Sequence, residues 1–157
     1  MPAFQDALGE TYCFGCGSQN HKGLQIKSRW EGEEAVSTFQ PAEHHAAGPR
    51  HVLNGGIIAT IIDCHSVCTA IAATYRAEKR ELGSEPSLWC VTASLTVSYL
   101  KPTPLEPGLP VELRARVVET SGKKTTVACS LFARGEECAR GEVVAVRVSD
   151  AWRGGPS

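Results

Sequence analysis

The run NGGIIATIIDCHSVCTAIAATYR, residues 54–76, is apolar on nearly every helical face: Ile57, Ile58, Ile61, Ile62, Val67, Ala70 and Ile71 together leave no broad polar stripe. A helix of that kind is covered by the rest of its domain rather than lying on a surface. The spacing predicts a helix over residues 56–76. Asn54 is placed to cap it, because its side-chain oxygen can accept one of the unpaired N–H groups of the first turn. The charged stretch Arg76-Ala77-Glu78-Lys79-Arg80-Glu81 carries the end into solvent. Asn54, Asp63, His65 and several Ser and Thr interrupt the apolar run, which argues against a membrane span.

On either side of this helix the period changes to two. Residues 24–30 and 34–39 read as short strands joined by the turn Glu31-Gly32-Glu33. After the helix and a loop at residues 83–87, residues 91–99 alternate, with Val91, Ala93, Leu95, Val97 and Tyr99 on one face and Thr92, Ser94, Thr96 and Ser98 on the other. A proline-rich loop at residues 101–110 leads to strands at 111–118, 125–132 and 138–148, joined by the short turns Ser121-Gly122-Lys123 and Arg134-Gly135-Glu136. Two strands, one buried helix and four strands with hairpin-length connections define an α+β chain: a single antiparallel sheet wrapped around one long central helix. One domain over residues 13–150 is expected, with a polar, flexible lead-in at 1–12 and a disordered tail at 151–157.

Composition is that of an ordinary globular protein, 42% hydrophobic and 21% charged. The net charge of -1 argues against a nucleic-acid-binding module. The first residues show no basic-then-apolar pattern, so no secretory signal is read there. The seven cysteines sit mostly in apolar or strand-patterned segments and read as reduced, packed thiols. A cytoplasmic setting is expected.

Asp63 stands in the middle of the buried helix. A carboxylate in apolar surroundings is costly unless it is hydrogen-bonded or protonated, so it is either a structural anchor or a functional group. Gly55-Gly56 opens the same helix, where free N–H groups and partial positive charge can hold a carbonyl oxygen as it becomes an oxyanion. Gly55 and Asp63 are eight positions apart, about 12 Å along a helix axis. One helix therefore cannot bring both to one reacting carbonyl. If both serve one substrate, the carboxylate comes from a second copy lying antiparallel, and the site requires a homodimer.

The segment Val52 to Asp63 resembles the His-Gly-Gly…Asp signature of PaaI-like hotdog-fold thioesterases. Cys13-Phe14-Gly15-Cys16-Gly17, Lys22-Gly23-Leu24 and Tyr99-Leu100-Lys101-Pro102 are similar to the same group. The resemblance implies a hotdog fold, pairing into dimers or dimers of dimers, and hydrolysis of acyl-CoA thioesters without metal or cofactor. It implies that the Gly55 N–H polarises the thioester carbonyl and that the partner's Asp63 acts as nucleophile or general base. Thr92 takes the position of a hydroxyl near the attacking water. Asn54 stands where the signature has His and is assigned a binding role, as are Gly56, His45 beside the glycine loop, and Lys101 toward CoA phosphates.

Other features were weighed and set aside. Cys13-x-x-Cys16 with His21 nearby is half of a zinc pattern. No second CxxC follows, and Cys64, His65 and Cys68 fall on the buried helix, so a turn with packed thiols and no metal is the expectation. His65 points away from Asp63 and reads as a packed histidine. Lys123 and Lys124 read as solvated turn residues. No Gly-x-Ser-x-Gly elbow is present. Two alternatives to hydrolysis remain open: a non-catalytic acyl-thioester-binding protein, and an acyl-thioester hydratase or dehydratase.

Overall fold

The computed structural model describes residues 2–154. Helix α2, Gly55–Ala77, extends one residue beyond the expected helix at each end and buries Ile58, Ile61, Ile62, Ile71 and Tyr75. It follows a helical turn α1, Phe4–Ala7, and strands β1, Ser28–Glu31, and β2, Glu34–Phe39. Strands β3, Trp89–Tyr99, β4, Val111–Ser121, β5, Lys124–Ala133, and β6, Glu136–Val148, come after it, and a last turn α3 spans Asp150–Arg153. All six strands pair antiparallel in the order β1-β2-β4-β5-β6-β3. The sheet curls round α2, which packs against β3, β4, β5 and β6. Inward residues such as Val111, Leu113, Val127, Leu131 and Val143 are fully buried against it.

The helix and sheet approach closely at Gly141 on β6. A Cβ there would stand 2.6 Å from Cγ2 of Ile62 and 3.3 Å from the Thr96 carbonyl. Only glycine lets α2 sit at this depth, since packed interiors leave no room for an added methyl.

Three departures from the sequence reading have local causes. Residues 24–27 are not strand: Gln25 has φ of 51°, which breaks an extended run. The N–H groups of Leu24 and Ile26 donate instead to the carbonyls of Phe14 and Gly15. Within the lead-in expected to be flexible, α1 is docked, with Phe4 buried against Trp30 at 5.2 Å between ring centroids. Gln5 there exchanges two bonds with Ser28, its amide donating to the hydroxyl at 3.0 Å and its carbonyl accepting from the backbone at 2.8 Å. At the other end, Asp150–Arg153 is a helical turn with the Arg153 guanidinium 4.3 Å from the Trp89 ring centroid; residues 155–157 of the expected tail lie outside the described residues.

The third departure is in β3. Its register against β6 shifts between Thr92 and Ser94, leaving Ala93 as an extra residue. A bulge of this kind changes which side chains face inward. Before it, the inward residues are the buried Cys90 and then Thr92, not Val91 and Ala93 as strict alternation predicted; after it, Leu95, Val97 and Tyr99 keep the expected face.

Replacing Gly141 with Ala should cost ~1–3 kcal/mol through overpacking. Chemical denaturation should show a smaller loss in an Ile62→Ala background, where the clashing methyl is gone.

Candidate active site

The start of α2 is built by Asn54. Its side-chain oxygen accepts from the N–H of Gly56 at 2.7 Å and of Ile57 at 3.2 Å, capping the helix as the sequence predicted. The Gly55 N–H has no acceptor among the described residues. It therefore remains a free donor at the positive end of the helix dipole. The Gly55 carbonyl accepts from the Tyr99 hydroxyl at 2.6 Å, so the end of β3 is tied to the helix start. From the other side, the Asn54 N–H donates to the His45 carbonyl at 2.9 Å.

Two turns further on, Asp63 is half-buried, and its Oδ1 accepts from the Thr92 hydroxyl at 2.7 Å. Burial pushes the carboxyl above its usual range and the Thr92 bond partly offsets that. Thr92 and Tyr99 are seven positions apart, which on a regular strand puts them on opposite faces. The bulge at Ala93 brings both to the α2 side. One strand thus grips the helix at both chemically distinctive points, the free N–H of Gly55 and the carboxylate of Asp63. Sequence periodicity missed this because the bulge leaves no mark in the alternation.

The remaining predicted residues lie around the helix start. The His45 ring accepts from the Ala42 N–H through Nδ1 at 2.9 Å and sits 5.8 Å from the Phe39 ring. Its imidazole is occupied in the turn Glu43–His45, and burial followed by the neighbouring His44 lowers its pKa. Its contribution near Gly55 is thus through the backbone. Lys101 pairs with Glu136 beside a pocket of about 410 Å³ that His51, Val52 and Cys138 also line. Arg134 on the same rim pairs with Glu106, so each cation already has an acidic neighbour.

A family model described as "Thioesterase superfamily" matches residues 51–139, more than half of the chain and all of α2. The chain belongs to the thioesterase superfamily. A solved thioesterase superfamily protein from Shewanella loihica PV-4 is 34% identical to this thioesterase-family chain, covering 92% of it and 99% of its own length with a TM-score of 0.68. A phenylacetic acid degradation-related protein of Ralstonia eutropha JMP134 is 17% identical over 78% of this chain and 85% of its own, with a TM-score of 0.61. A thioesterase variant from Pseudomonas aeruginosa is 16% identical over 80% of this chain and 82% of its own, also at 0.61. At that identity the last two share the fold, which is the hotdog arrangement of one long helix in a curled antiparallel sheet. Comparison with curated protein sequences returned no match.

In this superfamily member the cysteines and His65 take an arrangement the sequence reading did not foresee. His65 is indeed a packed residue: Nε2 donates to the Ala35 carbonyl at 2.9 Å and Nδ1 accepts from Ser28 at 2.8 Å, and burial pushes its pKa down to about 4. Cys64 and Cys68, however, do not merely fill core. Cys64 groups with Cys13 and Cys16 beside Asp63, the sulfur of Cys13 lying 3.6 Å from that of Cys64, and Cys68 belongs to the buried cluster on which Cys16 packs. Hydrogen bonds from Cys13, Cys64 and Cys68 lower the Cys16 pKa; Cys64 is raised by Cys13 and Cys16, and Cys68 by Cys16 and burial. A search for paired CxxC motifs misses the group because its second half is a helical i, i+4 pair.

Removing the cap with Asn54→Ala should cost about 0.5–2 kcal/mol of stability, read as a lower denaturation midpoint with an unchanged slope.

Proposed function

We propose that two copies of this chain pair to hydrolyse acyl thioesters of the CoA type, with Gly55 of one subunit and Asp63 of its mate sharing each site. The observation that carries the reading is the double grip of β3 on α2. It presents an unpaired N–H and an oriented carboxylate on one side of the helix, about 12 Å apart. The two groups converge only if a second helix runs antiparallel to the first.

The edge of the sheet supplies a way to do this. β3 is an edge strand of 11 residues, and Leu95 and Tyr99 on it are 38% and 53% exposed. A long uncovered edge of this kind is a template for pairing. Antiparallel pairing of two β3 strands about a twofold axis near Leu95 and Thr96 would set Tyr99 of one subunit opposite the partner's Thr92. Gly55 would then face the partner's Asp63, and the reverse contact would form the second site.

In such a site the substrate carbonyl oxygen accepts from the Gly55 N–H, where the helix dipole stabilises the oxyanion. Within the partner, Thr92 holds one oxygen of Asp63, leaving the other to take a proton from water or to attack the carbonyl itself. On the base route the tetrahedral adduct expels the thiolate, which takes the proton Asp63 removed from water, and leaves the free acid. On the nucleophile route it leaves an acyl-Asp63 anhydride, which water hydrolyses to the acid while supplying the thiolate's proton. Asn54 and Gly56 form the rim of the glycine turn and His45 supports it from behind, while Lys101 meets the phosphates of a CoA-type carrier once freed from Glu136. The PaaI-like motif agreement supports the acyl-CoA assignment and a cytoplasmic setting. A non-catalytic acyl-thioester-binding protein is the competing reading, favoured by the Asn54 amide in place of an imidazole.

Thiol release from a panel of acyl-CoA substrates should be measurable for the wild type and fall roughly 10²–10⁴-fold in Asp63→Asn. No turnover with any acyl chain, alongside saturable acyl-CoA binding, would establish the binding protein instead.

Gly55→Pro offers a second test, because proline is tolerated at the first helical position and deletes only the N–H. Each single variant should be inactive. Mixed dimers of Asp63→Asn and Gly55→Pro chains should regain one working site, whereas a site confined to one chain would stay silent in every mixture.

A further inference from the structure

We propose that Cys13, Cys16, Cys64 and Cys68 form a closed tetrathiolate site for a structural zinc ion, which pins the N-terminal loop to helix α2 beside Asp63.

The four sulfurs come from two elements. Cys13 and Cys16 flank a tight turn closed by the Gly17 N–H donating to the Cys13 carbonyl at 2.8 Å. Cys64 and Cys68 are one helical turn apart on α2 and face that turn. The sulfurs of Cys13, Cys16 and Cys64 all lie within 4.8 Å of one another, and Cys13 and Cys64 are 3.6 Å apart. Cys68 lies outside that 4.8 Å set, in the buried cluster against which Cys16 packs, and is the nearest candidate for the fourth ligand. Zinc–sulfur bonds of about 2.3 Å in a tetrahedron require sulfurs about 3.8 Å apart. Cys13 and Cys64 already stand at that spacing, Cys16 is within 4.8 Å of both, and Cys68 would close the set by side-chain rotation.

The loop is shaped for this approach. A Cβ on Gly15 would stand 2.2 Å from the Cys64 sulfur, and one on Gly17 would stand 2.3 Å from the backbone nitrogen of Cys13. Both positions exclude a side chain so that the turn can lie against the helix. Its other anchors are the backbone bonds from Leu24 and Ile26 to Phe14 and Gly15. Tyr12 and Phe14 are 73% and 48% exposed, so the loop contributes few apolar side chains of its own to the core. The four thiols run from exposed Cys13 through half-buried Cys16 and Cys64 to buried Cys68, whereas Cys90, Cys129 and Cys138 are spread singly through the sheet.

Four thiolates fill the coordination shell of zinc and leave no position for water, so the ion would be structural rather than catalytic. Binding displaces thiol protons and needs no oxidant. A disulfide would join two of the four and leave the others unmatched.

The full-length chain, purified under reducing conditions without added metal, should carry one zinc per chain by elemental analysis. Cobalt exchanged into it should give the intense visible bands of a tetrahedral thiolate centre. Titrating the thiols with a mercurial should release the zinc as the four ligands react, a readout on the wild type that needs no variant to fold. Cys64→Ser and Cys68→Ser should each lose the metal to background, while Cys90→Ser, outside the group, should retain it. Removing zinc with a strong chelator should lower the thermal midpoint of the wild type. Chain that is zinc-free and takes up none when reduced and supplied with zinc would overturn the proposal. So would zinc that survives Cys64→Ser and Cys68→Ser, or oxidation to a Cys13–Cys64 disulfide as the resting state.

Discussion

Helix α2 has no face fit for water, and most of the chain is arranged to cover it. A six-stranded sheet can do so only by curling, and β4, β5 and β6 accordingly turn Val, Leu and Ala inward along their length. At Gly141 the cover comes so close that the sheet gives up a side chain to admit Ile62. Burial at this density sets a strict condition on every polar group the helix carries. Each must find a partner on an adjacent element or lie at an opening. His65 meets the condition with Ser28 and Ala35, Asp63 with Thr92, and Asn54 with its own helix end. The polar residues of α2 thus mark where the sheet is bonded to it and where it is open.

Those openings are not distributed evenly. β1 and β2 cover the His65 side, and the N-terminal loop covers Cys64 and Cys68. The side bearing Gly55 and Asp63 faces β3, an edge strand whose outer rim has no neighbour among the described residues. The bulge at Ala93 is what adapts that strand to its task. It lets Cys90 sit in the core at one end and still turns both Thr92 and Tyr99 toward the helix. A regular strand could satisfy one contact with α2 or the other, but not both.

Much of the fold was legible because it rests on short-range signals. The all-round apolar run and its Asn54 cap gave the helix to within one residue at each end, and the glycine turns marked every hairpin. Strand β2 matches the expected bounds, and β3 to β6 each run one to three residues past an expected end. The sequence is silent on features set by long-range contact. That β3 lies beside β6 rather than beside β4 depends on closure of the sheet round the helix. Gln25 leaves the strand region because its neighbours bond to the cysteine loop, a partner distant in sequence. Phe4 and Gln5 look like polar lead-in until Trp30 and Ser28 are seen waiting for them. For the candidate site, residue type and motif spacing singled out Asp63, Gly55 and Thr92, and the structure adds the Thr92–Asp63 bond. The Tyr99 bond to Gly55 was not, since its face depends on the bulge.

The same contrast explains why the cysteine group escaped a motif reading. Metal motifs are recognised when both ligand pairs lie on short loops with fixed spacing. Here one pair is a CxxC turn and the other is spaced by helical geometry, four residues apart with His65 between them facing elsewhere. The helix that isolates Gly55 from Asp63 by its rise is the one that aligns Cys64 with Cys68 by its turn. Both consequences follow from α2 being rigid and buried. It cannot bend to bring Gly55 and Asp63 together within one chain, and it offers a fixed rung against which the cysteine loop can be fastened. Fastening that loop one residue from Asp63 would steady the stretch of helix backbone that carries the carboxylate bonded to Thr92.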